Sequence, residues 1–315
     1  MNQINLYKKI YNFMNILTIV SALLLFFCFC YSFDVENSYL NDSPLTLMFF
    51  ISYGLGAIIS LSSVLTQSEF DVVTTHNGIH GRAKSYYTAT TVASILTGAV
   101  GFFISHESKI NQNMLIAAAG LLSFGIFQLM LSSKSGYRPK PFKLIFLFAS
   151  IAFPVEIVFA SISDYSHHIN SIENTLMSIF SISFLLYILY EAKRICTGAH
   201  SAWHFASMTF TCMSGFVISS AYLFAFLFDI IKDGSHFYPM LAILAASAFI
   251  GVELKHFIYT AKTQNSTDWQ KQQKEKLLTR QFKAESSESS EITANADAEF
   301  HSPTQEKSEI NTEEE

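Results

Sequence analysis

Long apolar runs separated by short polar stretches fill the first 262 residues of the chain. Eight of these runs are close to the roughly 20 residues that a helix needs to cross about 30 Å of hydrocarbon. None shows the two-residue alternation of a barrel strand, and a helix satisfies its backbone polar groups within one segment. The pattern therefore predicts an all-α bundle of eight transmembrane helices. Their predicted bounds are 13–33, 45–66, 88–105, 114–132, 144–162, 175–192, 205–230 and 238–260.

Basic residues are concentrated in alternate connections, and this indicates how the helices are oriented. Short loops rich in Lys and Arg stay in the cytosol. Ten basic residues lie near the membrane on one side, and only Lys109 and Lys232 lie on the other. With eight helices, this asymmetry places both termini in the cytosol. The ten are Lys8, Lys9, Arg82, Lys84, Lys134, Arg138, Lys140, Lys143, Lys193 and Arg194.

Charge separates the membrane bundle, 1–262, from the C-terminal end of the chain. Residues 262–283 carry six basic and two acidic side chains, and residues 284–315 carry one basic and ten acidic. The acidic, Ser-rich stretch 284–315 is predicted to be disordered. The segment 263–283 is either a short helix on the anionic inner leaflet or a solvated extension of the last helix. The side chains that would reach lipid headgroups are Lys271, Lys274, Lys276, Arg280 and Lys283.

The eight runs also divide into two halves of four, 1–133 and 134–262. A Gly-x-His triplet occurs at Gly78 and again at Gly198, 120 residues later, each time in a predicted cytosolic loop. A repeat with four spans per half would be parallel, related by an axis along the membrane normal. The residue match is thin, so chance similarity stays open beside a true repeat.

Glu156 is the outstanding polar residue at membrane depth. It lies about 12 residues into the fifth run, and at about 1.5 Å per residue this is just past the midplane. Pro154 precedes it and is expected to kink the helix, because proline cannot donate a backbone hydrogen bond. A carboxylate at this depth could belong to an ion or proton pathway. The alternative is a protonated Glu156 bonded to a neighbouring hydroxyl and serving helix packing.

A second group of ionisable residues lies near the cytosolic ends of the last helices. Glu253 and His256 are three residues apart and share a helical face. A Glu-x-x-His pair binds metal in helical bundles only when further ligands face it. Glu191 and His204 are the available companions at that depth. Interfacial side chains reaching toward water explain the same residues without a metal, and we predict no metal site.

Composition and motifs narrow the function further. Half of the residues are apolar and 14% are charged, which is typical of a membrane-embedded body. The chain has no Walker loop, no His-Glu-x-x-His and no Gly-x-Ser-x-Gly, and nothing in it implies a cofactor. The four cysteines have neither zinc spacing nor a disulfide framework. No catalytic residue is predicted.

The stretch 134–230 resembles a family of uncharacterised eight-span membrane proteins of clostridial-type bacteria. The resemblance depends on Gly136-Tyr137-Arg138-Pro139-Lys140-Pro141, on Leu189-Tyr190-Glu191-Ala192 and on His204-Phe205-Ala206-Ser207. It implies eight helices in a bacterial plasma membrane. That family has no assigned activity, so the resemblance supplies no catalytic residue.

Three classes of function follow. The first is a non-enzymatic accessory, sensor or assembly protein of the plasma membrane, favoured by the scarcity of charge in the spans. The second is a transporter or permease component that uses Glu156 in a polar pathway. The third is a lipid-modifying enzyme built from Glu191, His204, Glu253 and His256.

Overall fold

The computed structural model describes residues 3–34, 39–65, 72–73, 82–107, 112–132, 141–164, 171–197, 199–232 and 236–264. This part of the chain is almost entirely helical. The helices are α1 (Gln3–Tyr31), α2 (Pro44–Leu65), α3 (Arg82–Glu107), α4 (Gln112–Ser132), α5 (Pro141–Ala149), α6 (Ala152–Asp164), α7 (Ile172–Thr197), α8 (Ala202–Leu227) and α9 (Phe237–Gln264). Four two-residue strands form two antiparallel pairs, β1 (Phe33–Asp34) with β2 (Tyr39–Leu40) and β3 (Val72–Val73) with β4 (Ala199–His200).

Seven segments of the described chain are helical, long and apolar enough to cross a membrane. The predicted all-α architecture with several membrane-length apolar helices is thereby confirmed. The predicted third run, 88–105, lies within α3 but is not one of the seven. The count of eight spans and the cytosolic position of both termini therefore stay predictions. The tail 284–315 and all of 263–283 beyond the end of α9 lie outside the described residues.

The fifth predicted helix is broken in its middle, where α5 ends at Ala149 and α6 begins at Ala152. Pro154 explains the break, because it has no N–H to donate to the carbonyl of Ser150. The N–H of Phe153 donates to that carbonyl instead, at 3.1 Å, which tightens the chain locally. The kink predicted from Pro154 is confirmed.

Helix α9 runs through the centre of the described bundle. Its Phe249 packs edge-on against Tyr87 of α3 and Phe124 of α4, with ring centroids 5.2 and 5.5 Å apart. Its Phe257 packs edge-on against Tyr7 of α1 and at a tilt against Phe205 of α8. These aromatic contacts bury large apolar areas between helices that are far apart in sequence.

Buried hydroxyl groups join neighbouring helices. The Tyr53 hydroxyl of α2 donates to Ser214 of α8 at 2.9 Å, and Ser21 of α1 bonds Ser52 of α2 at 2.8 Å. The amide of Gln128 on α4 donates to Ser94 on α3 at 3.2 Å. In a hydrocarbon environment such bonds hold helices together where apolar side chains alone give little preference for protein over lipid. All of these helices belong to one compact unit, Met1–Lys262. The halves 1–133 and 134–262 stay a prediction.

Candidate functional site

Three helices bring five polar side chains together at one end of the bundle. Helix α7 supplies Tyr187, Glu191 and Arg194, which are four and three residues apart and so lie on one face. Helix α8 supplies His204 in its first turn, just after the N-cap Ser201. Helix α9 supplies Glu253. We call these five residues the Arg194 cluster.

Arg194 is the centre of the cluster. Its Nε donates to Oε2 of Glu191 at 2.6 Å, and its Nη2 also contacts Oε1 of the same carboxylate. Nη2 donates as well to Oε1 of Glu253 at 2.8 Å. One guanidinium thus binds a carboxylate of its own helix with two nitrogens and also bridges to α9. Bidentate pairing of this kind is strong and directional.

The two remaining members, Tyr187 and His204, also contact the carboxylates. The Tyr187 hydroxyl donates to Oε2 of Glu253 at 2.6 Å. Nε2 of His204 lies 3.1 Å from Oε2 of Glu191. The rings of Tyr187 and His204 stack with their centroids 6.1 Å apart. The cluster therefore connects α7, α8 and α9 through a continuous set of polar contacts.

The cluster is sealed from the surface. Arg194, His204 and Glu253 are each 1% exposed, and Glu191 is fully buried. All five residues lie within segments that are apolar enough to span a membrane. Burying charges is costly unless they are paired and hydrogen-bonded, and removal of one partner leaves a charge without compensation. The geometry therefore supports a clamp between helices.

Two members of the cluster, Arg194 and Tyr187, are not predicted as site residues by the sequence. In the sequence Arg194 counts only as a basic residue of a predicted cytosolic loop. The structure places Arg194 within α7, where it is buried. Tyr187 reads from the sequence as one more aromatic residue of an apolar span. The spacing Tyr187-x-x-x-Glu191-x-x-Arg194 is the available signal, because it places a donor, a carboxylate and a cation on one helical face.

Of the candidates from sequence, the structure unites Glu191, His204 and Glu253 in one network of polar contacts. The half-buried His256 packs edge-on against Tyr87 of α3, with ring centroids 6.1 Å apart. Pro154 and Glu156 lie on α6. Within the described residues, no group of three or more His, Cys, Asp or Glu side chains is placed to hold a metal ion.

Glu156 lies on the outward side of α6. The buried residues Phe153, Ile157 and Ser161 recur every four positions and mark the inward face. Phe159 and Ala160, one turn beyond Glu156, are exposed and mark the opposite side. Glu156 itself is half-buried, and it forms no hydrogen bond or ion pair with any residue that the structure describes.

Comparison of the chain with protein-family models, with curated proteins and with solved structures finds no match.

Proposed function

We propose that the protein is an eight-span plasma-membrane protein that works without covalent chemistry, as an accessory, sensor or assembly protein. The observation that carries the proposal is the burial of the Arg194 cluster. A lipid-modifying enzyme must present its ionisable groups to a headgroup. Here Glu191, His204 and Glu253 contact Arg194 or one another, and none of the three is more than 1% exposed.

The surface of α3 supports its inclusion as the eighth span. Its buried residues are hydroxyl-bearing or small. Its exposed residues include five large side chains that are apolar or aromatic, beside Ser85, Thr88, Ala89 and Ala93. This distribution lowers the mean hydropathy of α3 and still presents an apolar face to lipid. The large exposed residues are Tyr86, Val92, Leu96, Val100 and Phe103, and the buried residues are Tyr87, Thr91, Ser94, Thr97, Gly98 and Gly101.

The basic segment 263–283 adds a lipid contact to the proposal. Its five cations would attract anionic lipid of the inner leaflet at about 1 kcal/mol each. Replacing Lys271, Lys274, Lys276, Arg280 and Lys283 by Gln should reduce the amount of phosphatidylglycerol that copurifies with the protein. An unchanged lipid content would favour the solvated extension.

Native mass spectrometry of the full chain, gently extracted from its own membrane, tests the proposed function. A stoichiometric protein partner is the expected result, and an unrelated tagged membrane protein extracted in parallel controls for chance association. A lone chain that retains a specific small molecule or lipid, and loses it in Glu156→Gln, would replace the proposal with transport.

A further inference from the structure

We propose that the outward face of α5 and α6 is a docking site for a transmembrane helix of another protein, and that this helix pairs a Lys or Arg with Glu156. The inference rests on the proposed accessory function and names the chemistry of the partner. Its starting point is the carboxyl group of Glu156, which the described part of the chain leaves without a hydrogen bond.

The depth of Glu156 makes the lack of a partner among the described residues significant. The span that includes it ends at Ile162, six residues later, so the carboxyl lies about 9 Å inside that end. Ionisable groups at such depth almost always face the bundle interior or water. Lipid tails offer neither hydrogen bond nor counter-charge, and an unsatisfied polar group in hydrocarbon costs several kcal/mol. A partner from outside the chain would remove that cost.

The surface around Glu156 has the shape and chemistry of a helix-binding face. Phe159 and Ile162 beside it are 59% and 57% exposed. Phe142, Ile145 and Phe148 continue the outward apolar stripe along α5. A carboxyl on an apolar stripe resembles the arrangement by which membrane helices use one polar contact to select a partner.

Charge complementarity decides what the partner is. The basic residues within the seven membrane-length segments all lie toward the ends that the charge asymmetry assigns to the cytosol. They are Lys8, Lys9, Lys143, Lys193, Arg194 and Lys255. Lys109 and Lys232 lie on the outer side but outside these segments, so within the segments a second copy offers no cation at the depth of Glu156. A symmetric pair of copies could offer Glu156 only a second carboxyl, whereas a Lys or Arg offers both a hydrogen bond and an opposite charge. The occupant should be a different protein with a basic residue in the outer half of its span.

The test uses the purified full chain in vesicles of phosphatidylethanolamine and phosphatidylglycerol. Labelled Leu-Ala transmembrane peptides carry either one Lys at the depth of Glu156 or Leu at that position, and association is measured by energy transfer. The Lys peptide should bind about tenfold more tightly than the Leu peptide. Glu156→Gln should remove this difference, and a melting curve should show that the variant is still folded.

A relocated carboxylate supplies the matched control. Leu96 is an outward residue of α3, 59% exposed. The double variant Leu96→Glu with Glu156→Gln has the same charge as the natural protein but lacks the α6 site. It should not recover the preference for the Lys peptide. Recovery would show that any exposed carboxylate suffices and would overturn the docking face, as would equal binding of the two peptides.

Mass spectrometry of Glu156→Gln in native membranes separates this inference from the proposed function. The docking face is supported if Glu156→Gln loses a partner whose cross-linked helix includes a Lys or Arg. Combining Glu156→Lys with an acidic replacement of that partner residue should then restore the complex. If a partner stays bound to Glu156→Gln, the proposed accessory function stands and the docking face is overturned. The absence of any partner from the natural chain overturns the proposed function, whatever the peptides show.

Discussion

The guanidinium of Arg194 on α7 lies 2.8 Å from the carboxylate of Glu253 on α9, with both side chains almost fully buried. The contact joins residues 59 positions apart and ties the central helix to its neighbour. It lies in the middle of a series of polar contacts that begins at His204 and Glu191 and ends at Tyr187. The proposed role of the Arg194 cluster as a clamp leads to measurable consequences.

Replacing Arg194 by Met should destabilise the protein by about 3–5 kcal/mol, because Glu191 and Glu253 would stay buried without their cation. Unfolding in mixed micelles titrated with SDS measures the change. Lys193→Met is the control, since Lys193 is the neighbouring basic residue and is exposed. Equal losses in the two variants would mean that positive charge near the helix end matters and the cluster does not.

Replacing Tyr187 by Phe should cost about 1–2 kcal/mol, since it removes the 2.6 Å bond to Glu253. The double variant with Glu253→Gln should lose less than the sum of the two single variants, because the residues share that bond. Tyr190→Phe serves as the matched control: Tyr190 lies on the same helix, half-buried, with its ring stacked on Trp203. Strict additivity of the first pair would argue against the bond.

Gly120→Ala should destabilise the packing of α4 on α6 by about 1–3 kcal/mol. A Cβ at this position would fall on the backbone nitrogen of Phe153, beside the break between α5 and α6. Gly54→Ala on α2 is the control, because its Cβ would meet nothing within 4 Å. Thermal unfolding in one detergent compares the two. Helix propensity favours Ala over Gly at both positions. If Gly54→Ala proves as damaging as Gly120→Ala, close approach to Phe153 is not the cause of the loss.

The span count predicts where two introduced cysteines react. In a chain whose four native cysteines are replaced by Ser, Lys109→Cys should be labelled by a membrane-impermeant thiol reagent on intact cells. Lys84→Cys should react only after permeabilisation, because α3 lies between the two positions and would cross the membrane. Lys134→Cys, at another predicted cytosolic site, is the control. Labelling of residues 84 and 109 from the same side would remove α3 from the spans.

The position of the helices along the chain follows from sequence, and their contacts do not. Whether a run is apolar enough to enter a bilayer is a sum over its own residues, so all eight predicted runs fall on helices. The break at Pro154 is likewise local, because it depends on one missing N–H. Whether α3 spans the membrane is harder to predict from sequence. Its buried polar residues lower its mean hydropathy, and only the fold shows that they face inward.

Tertiary structure decided which side of each helix meets protein. Arg194 follows Lys193 in the sequence and shares its charge, yet one is buried and the other exposed, because a step of one residue turns a helix by about 100°. Glu156 stands out as a membrane carboxyl from sequence alone, but its outward direction depends on how α6 packs against α4 and α7. The hydropathy of a segment does not depend on which of its residues face protein and which face lipid. The sequence therefore determined the membrane architecture, and the packing of the helices determined the site.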